Sequence, residues 1–175
     1  MRSTALVQIR VGVLVERRKA KSPWIDFEWR PIGVLAGEPT AAPWTTIGSE
    51  KETTVFYAGA ATIGLHRTET ANYRANLISG APALWVALRP SAGEPPYNVL
   101  AVTADPAEGE ALTEAGNDLV EPVSMPSVIR ATLENFIREH HVERPFFKRM
   151  RDRTGQEAQR HTAIDPDASQ SEIKK

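Results

Sequence analysis

An alternating pattern at the beginning of the chain constrains the fold more than any other feature. Apolar side chains at every second position, separated by polar or small residues, are typical of a strand with one buried face. Five such positions follow one another: Val7, Ile9, Val11, Val13 and Val15. After a basic turn, Ile25, Phe27 and Trp29 alternate in the same way. The two stretches predict a long antiparallel hairpin over residues 5–36.

The middle of the chain predicts more strands. Residues 53–66 carry either two short strands or one bent strand, with Gly59 and Gly64 allowing a bulge or a kink. The apolar runs 83–90 and 97–105 are flanked by Pro and Gly, which is typical of buried strands. We expect these two runs to pair with each other through the loop between them.

Three stretches carry helix signals. In the first, Thr68 is the expected N-cap and Gly80 the expected residue after the last turn. In the second, Asp105 is the expected N-cap, whereas Gly109 weakens the helix by about 1 kcal/mol relative to Ala. The third, residues 126–140, has the clearest helical periodicity. The apolar faces predicted for the first and third helices comprise Ala71, Ala75, Ile78, Ile129, Leu133, Phe136 and Ile137.

These elements predict an α+β fold. It consists of an antiparallel sheet, or a partly closed barrel, of five to seven strands with two or three helices packed on it. A doubly wound parallel sheet is disfavoured because no helix separates the strands of the first sixty residues. We expect residues 1–153 to form a single domain. Residues 154–175 hold only two large aliphatic side chains, and we expect them to form a disordered, flexible polar tail.

Composition and motifs exclude several classes of function. The net charge of −1 argues against a general affinity for nucleic acid or anionic membranes. The chain has no cysteine and no phosphate-binding loop, dinucleotide loop or nucleophile elbow. The adjacent His140 and His141 would point about 100° apart on a helix and could not chelate one ion together. The sequence therefore predicts no catalytic residue, cofactor or metal, in a soluble cytoplasmic protein.

One strand-to-helix junction is a candidate ligand site. Free backbone N–H groups at a helix N-terminus, together with nearby arginines, suit an anion such as a phosphate or a nucleotide. Helix capping explains part of the same stretch, and Glu69 in the first turn would repel an anion. The residues predicted for this site are His66, Arg67, Thr70 and Arg74.

Two basic segments are candidate surfaces for a partner protein. One is the tip of the first hairpin, and the other follows the last helix, where two phenylalanines could anchor the segment to the domain. Solvated, weakly paired charge is the more common explanation of such clusters. Residues 148–153 are also a weaker candidate for binding nucleic acid. The predicted partner-binding residues are Arg17, Arg18, Lys19, Lys21, Arg144, Phe146, Phe147, Lys148, Arg149 and Arg151.

Several long segments carry a resemblance to a known family. They are "VGVLVERRKAKSPWIDFEWRPIGVLAG", "FYAGAATIGLHRTETANYRANLISGAPALWVALRP", "EPPYNVLAVTADPAEGEALTEAGNDLVE" and "HHVERPFFKRMRDR". From about Val7 to Arg153 the chain resembles an uncharacterised family of bacterial proteins of unknown function. Members are commonly encoded beside genes for molybdenum-dependent formate dehydrogenase and its maturation factors. The resemblance implies a genomic neighbourhood and no activity of its own. Because the sequence also lacks cysteine, metal ligands and a catalytic set, we expect a non-catalytic accessory protein that binds another protein, such as a formate dehydrogenase subunit or maturation factor.

Overall fold

The structure is a computed structural model that describes residues 5–143. The predictions for the segment after the last helix and for the tail lie outside these residues. Within them the chain forms seven strands and three helices. The elements are β1 (Val7–Lys19), β2 (Phe27–Ala36), β3 (Thr45–Glu50), β4 (Thr53–Leu65), α1 (Thr70–Ile78), β5 (Ala83–Pro90), β6 (Tyr97–Thr103), α2 (Pro106–Glu114), β7 (Leu119–Ser124) and α3 (Ser127–His140).

The strands form two antiparallel sheets. One has the order β2-β1-β4-β3 and the other the order β6-β5-β7. β4 lies beside β6, and β2 lies beside β7, but neither pair forms a hydrogen-bonded ladder, so the barrel is not closed. Side chains from both sheets and from the helices share one hydrophobic core. The predicted α+β class and the upper strand number are confirmed, while the division into two sheets was not predicted.

The first hairpin forms as predicted, but the buried face of its second stretch does not, because Ile25 and Phe27 are exposed and only Trp29 packs against the core. β1 pairs with β2 along one edge and with β4 along the other. Its central position explains why Val11, Val13 and Val15 are completely buried. β4 is one bent strand, and Gly59 supplies the bend with a φ of 144°, a conformation that favours glycine. The ladder between β1 and β4 shifts its register opposite this residue.

β3 and β7 were not predicted, and both are edge strands. All six residues of β3 are exposed, so it lacks the alternation of apolar residues that marks a half-buried strand. β7 includes Glu121 and Pro122, and proline is tolerated in a sheet chiefly at an edge. Edge strands of this kind carry little sequence signal because only one neighbour constrains them.

The helix termini were predicted in part. Asp105 caps α2 as expected, since its Oδ1 accepts a hydrogen bond from the Ala107 N–H at 2.8 Å. Gly80 follows α1 with a φ of 87°, also as expected. The prediction that Thr68 caps α1 was wrong. A short 3₁₀ turn spans Arg67–Glu69, and α1 begins after it with Glu69 at the capping position.

The buried face of α1 is the opposite of the predicted one. Ala71, Ala75 and Ile78 are exposed. Instead, α1 buries Thr70, Tyr73 and Asn76, whose polar groups find hydrogen bonds inside the protein. An apolar stripe is therefore left on the outer face of α1, and the side chain of Ile78 is 75% exposed.

α3 buries the face predicted for it. Ile129, Leu133 and Phe136 lie in the core, and Ile137 is half-buried beside them. On the exposed side of α3, Arg130 Nε pairs with Glu134 Oε1 at 3.0 Å.

The two loop tryptophans, Trp24 and Trp44, differ in exposure. Trp24 is 90% exposed at the hairpin tip. Trp44, however, is half-buried, with its ring centroid 5.9 Å from that of Trp29 and 6.0 Å from that of Phe56. Edge-to-face aromatic packing of this kind holds the 37–44 loop against the first sheet.

Candidate functional site

α1 and α3 lie side by side and form an open groove between them, which we call the α1–α3 groove. Its volume is about 460 Å³. Leu77 and Ile78 of α1 and Ile137 of α3 supply its apolar lining. Leu77 and Ile137 are half-buried, whereas Ile78 is largely exposed. The groove therefore offers a continuous apolar strip that solvent reaches.

Charged side chains line the same groove. Arg74 comes from α1, and Arg130, Glu134 and Arg138 come from α3. Arg130 Nε lies 3.0 Å from Glu134 Oε1, and Arg138 Nη1 donates to Asn135 Oδ1 at 2.9 Å. Both contacts are exposed, so they hold these arginines only weakly. The groove is therefore lined by more basic than acidic side chains.

His141 closes one end of the groove. Its Nδ1 lies 3.1 Å from Thr70 Oγ1, so the C-terminal end of α3 is joined to the first turn of α1. The neighbouring His140 lies against Phe136, with 4.7 Å between the ring centroids. The two histidines contact different residues. Within residues 5–143, no three His, Asp or Glu side chains are grouped so that they could hold a metal ion.

The structure separates the four residues predicted for the ligand site. Arg74 lines the α1–α3 groove, and Thr70 contacts its end through His141. His66 and Arg67 lie on the 3₁₀ turn before α1 and do not line the groove. The backbone N–H of His66 donates to the Tyr73 hydroxyl at 3.0 Å.

Carboxylates occupy the N-terminal end of α1. The Asn72 side-chain amide donates to Glu69 Oε2 and to Asp105 Oδ2, each at 3.1 Å. Asp105 is also almost completely buried. Two acidic groups at this position would repel a phosphate or a nucleotide. Anion binding at the junction stays a prediction that the local electrostatics do not favour.

A family model described as "Protein of unknown function (DUF3305)" matches residues 10–151. The chain belongs to the DUF3305 family. The match includes all three helices, so the α1–α3 groove lies within the family's region. No curated protein and no solved structure matches the chain.

The predicted hairpin-tip cations of this DUF3305 chain mostly contact groups of the same molecule. The Arg17 guanidinium lies 4.4 Å from the centre of the Phe27 ring, within range of a cation–π contact. Arg18 Nη2 lies 3.0 Å from Glu16 Oε1, and Lys19 Nζ lies 3.8 Å from Glu52 Oε1. Arg17, Arg18 and Lys19, which were predicted to bind a partner, therefore already interact with side chains of the same molecule.

The predicted partner-binding residues that follow α3 lie outside the described residues, whereas Lys21 at the hairpin tip is described and exposed. Those that follow α3 are Arg144, Phe146, Phe147, Lys148, Arg149 and Arg151. Among the described residues, no helix is long and apolar enough to cross a membrane.

Sequence reasoning missed most of the groove. Ile78 was assigned to the core face, and Leu77, Arg130 and His141 were given no role in a site. One signal was present, because α1 carries Tyr73 and Asn76 on the face opposite Ala71, Ala75 and Ile78. A short helix with two candidate faces can bury either one, so its apolar stripe is a candidate interface as well as a candidate core.

Tyr73, which anchors α1 beneath the groove, yields a test of the packing. Burial raises the pKa of Tyr73 to about 12 from its usual 10.0, and nearby Asp105 and Glu69 add to the rise. Because the folded pKa exceeds the unfolded one, the stabilisation is fully present below about pH 10 and is lost as the pH rises through about 12.

We therefore expect the wild type to lose more stability than Tyr73→Phe between pH 10 and pH 12. The measurement is the free energy of unfolding by denaturant at several pH values in this range. Each unit by which the folded pKa exceeds the unfolded pKa corresponds to about 1.4 kcal/mol of stability. Parallel curves for the two proteins would show that Tyr73 titrates normally in the folded state.

Proposed function

We propose that the protein is a non-catalytic accessory protein that binds another protein through the α1–α3 groove. The observation that carries the proposal is the exposure of Ile78 in an apolar strip bordered by arginines. We further propose that the partner is a subunit or maturation factor of a bacterial molybdenum-dependent formate dehydrogenase, met in the cytoplasm. This part rests on the resemblance of the sequence segments to a family encoded beside such genes.

The energetics of the groove support a macromolecular partner. Burying one isoleucine side chain contributes about 1.5–3 kcal/mol, and Leu77 and Ile137 extend the same strip. Arginine is enriched at the centres of protein interfaces, where it pairs with carboxylates and packs its aliphatic stem. A partner that covers the strip also removes water from the arginine contacts and so strengthens them.

A single substitution tests the groove. We expect Ile78→Glu to reduce recovery of the partner about tenfold, because it places a charge in the apolar strip. The measurement is crosslinking and gentle purification of the tagged protein from host cells that express formate dehydrogenase, followed by quantification of the dehydrogenase subunits. Since Ile78 is exposed, the variant should unfold at the wild-type temperature.

Val128→Glu is the matched control. Val128 is 64% exposed on α3 and does not line the groove, so this variant should recover the partner as the wild type does. Equal recovery by Ile78→Glu would place the interface elsewhere. Recovery of no dehydrogenase subunit by the wild type would overturn the formate dehydrogenase assignment. Truncation after Val142 tests separately the predicted contribution of residues 144–151.

A further inference from the structure

We infer that the α1–α3 groove accepts an acidic amphipathic helix from its partner. The inference rests on the proposed function and names the kind of segment that would occupy the groove. It follows from three features of the groove, which are its helical walls, its apolar strip and its charge.

The walls favour a helix over an extended segment. Both walls are helices, whose backbone groups are hydrogen-bonded within each helix, so they offer only side-chain contacts. An added strand needs an open sheet edge to pair with, which the groove lacks. A helix satisfies its own backbone and can lay an apolar face between two others. The exposed Ala71 and Ala75 border Ile78 on the same face of α1 and allow a close approach.

The length of the groove sets the length of the segment. On α3 the lining runs from Arg130 to Arg138, which is roughly 12 Å along the helix axis. On α1, the exposed stripe from Ala71 to Ile78 is roughly 10 Å long. Both distances correspond to about two helical turns. A segment of three or four turns would cover the strip completely.

The charge of the groove favours acidic residues beside the apolar face. Arg130 and Arg138 on α3 outnumber Glu134, so glutamates on the flanks of the incoming helix would be attracted. Lysines at the same positions would be repelled. A small anion could meet the arginines but would leave Leu77, Ile78 and Ile137 exposed. The apolar strip therefore distinguishes an amphipathic segment from a phosphate or a nucleotide.

The test uses three labelled synthetic peptides of about 14 residues, which is about four helical turns. The first places leucines on one helical face and glutamates on its flanks. The second has the same composition with the leucines distributed around the helix. The third replaces each glutamate with lysine. Binding to the full-length protein is measured by fluorescence anisotropy at about 0.05 M and about 0.5 M salt, between which screening increases strongly.

We expect the first peptide to bind at least about tenfold more tightly than the other two. Its affinity should fall severalfold at the higher salt concentration. The double variant Arg130→Gln/Arg138→Gln should weaken binding about tenfold, and Ile78→Glu should weaken it at least as much. Val128→Glu should bind the first peptide as the wild type does.

The outcomes separate this inference from the proposed function. If no peptide binds but recovery of the cellular partner still depends on Ile78, the groove is a protein interface and the acidic helix is wrong. Equal binding of all three peptides, or binding unchanged in Ile78→Glu, would also overturn the inference that the groove accepts an acidic amphipathic helix. If neither the peptides nor the cellular partner depend on Ile78, both proposals fail.

Discussion

Replacement of Asn76 by leucine is expected to destabilise the protein by about 3–5 kcal/mol, because it removes the buried hydrogen bonds of both Nδ2 and Oδ1. Asn76 is only 3% exposed. Its side-chain amide donates to the Ala83 carbonyl at 2.8 Å and to the Ala104 carbonyl at 2.9 Å. Its Oδ1 accepts a hydrogen bond from the Ala83 N–H at 3.0 Å.

Leucine has the same number of side-chain heavy atoms and a similar branched shape but would leave these three contacts unmade. Each buried backbone group that loses its partner costs about 1–3 kcal/mol. The measurement is the free energy of unfolding by urea, with Asn135→Leu as the control. Asn135 is exposed on α3, so its replacement should change stability by less than about 0.5 kcal/mol. Equal effects of the two substitutions would mean that the contacts of Asn76 contribute little.

Substitution of Gly109 by alanine is expected to destabilise the protein by about 1–3 kcal/mol through overpacking. A methyl group at residue 109 would lie 2.4 Å from Trp85 Cγ and within 2.7 Å of two other atoms of the same ring. Helix propensity alone predicts the opposite sign, since alanine is favoured over glycine by about 1 kcal/mol inside a helix. The sign of the change therefore decides between propensity and packing.

Thermal and urea unfolding of Gly109→Ala would measure this change. Gly48→Ala is the control, because no atom lies within 4 Å of the added methyl group and Gly48 does not require a positive φ. In a Trp85→Leu background the cost of Gly109→Ala should fall, since the smaller side chain leaves room for the methyl group. A cost that persists in that background would have to come from something other than contact with the ring.

Gly109 illustrates how sequence and structure differ. From the sequence, this glycine is a weak point in a short helix. In the structure it lets α2 approach the ring of Trp85. The sequence singled out Gly109, but the role of this glycine depends on Trp85, which lies 24 positions away along the chain. Helix propensity carries no information about such a neighbour.

The candidate site was predicted least well for a similar reason. Arg74 was singled out, but it was grouped with His66 and Arg67, which do not line the groove. The groove depends on which face of α1 is buried. That choice is made by hydrogen bonds such as the one from Asn76 to the Ala104 carbonyl, whose residue is 28 positions away. An apolar-versus-polar pattern cannot register a polar side chain that is satisfied inside the core.

The sequence by itself determined the elements whose signals are local. Alternation placed the β1–β2 hairpin, Asp105 capped α2, and the spacing of Ile129, Leu133 and Phe136 oriented α3. These signals need no distant partner, because strand alternation, helix capping and helical periodicity act over a few residues.

Only the tertiary structure decided the division into two sheets, the edge strands β3 and β7, and the outward face of α1. Each of these depends on contacts between residues far apart along the chain. The free energy of such a contact depends on which residues pack against each other across the core. The exposed strip around Ile78 exists because the polar face of α1 found its hydrogen bonds inside, and that outcome leaves the apolar face available to a partner.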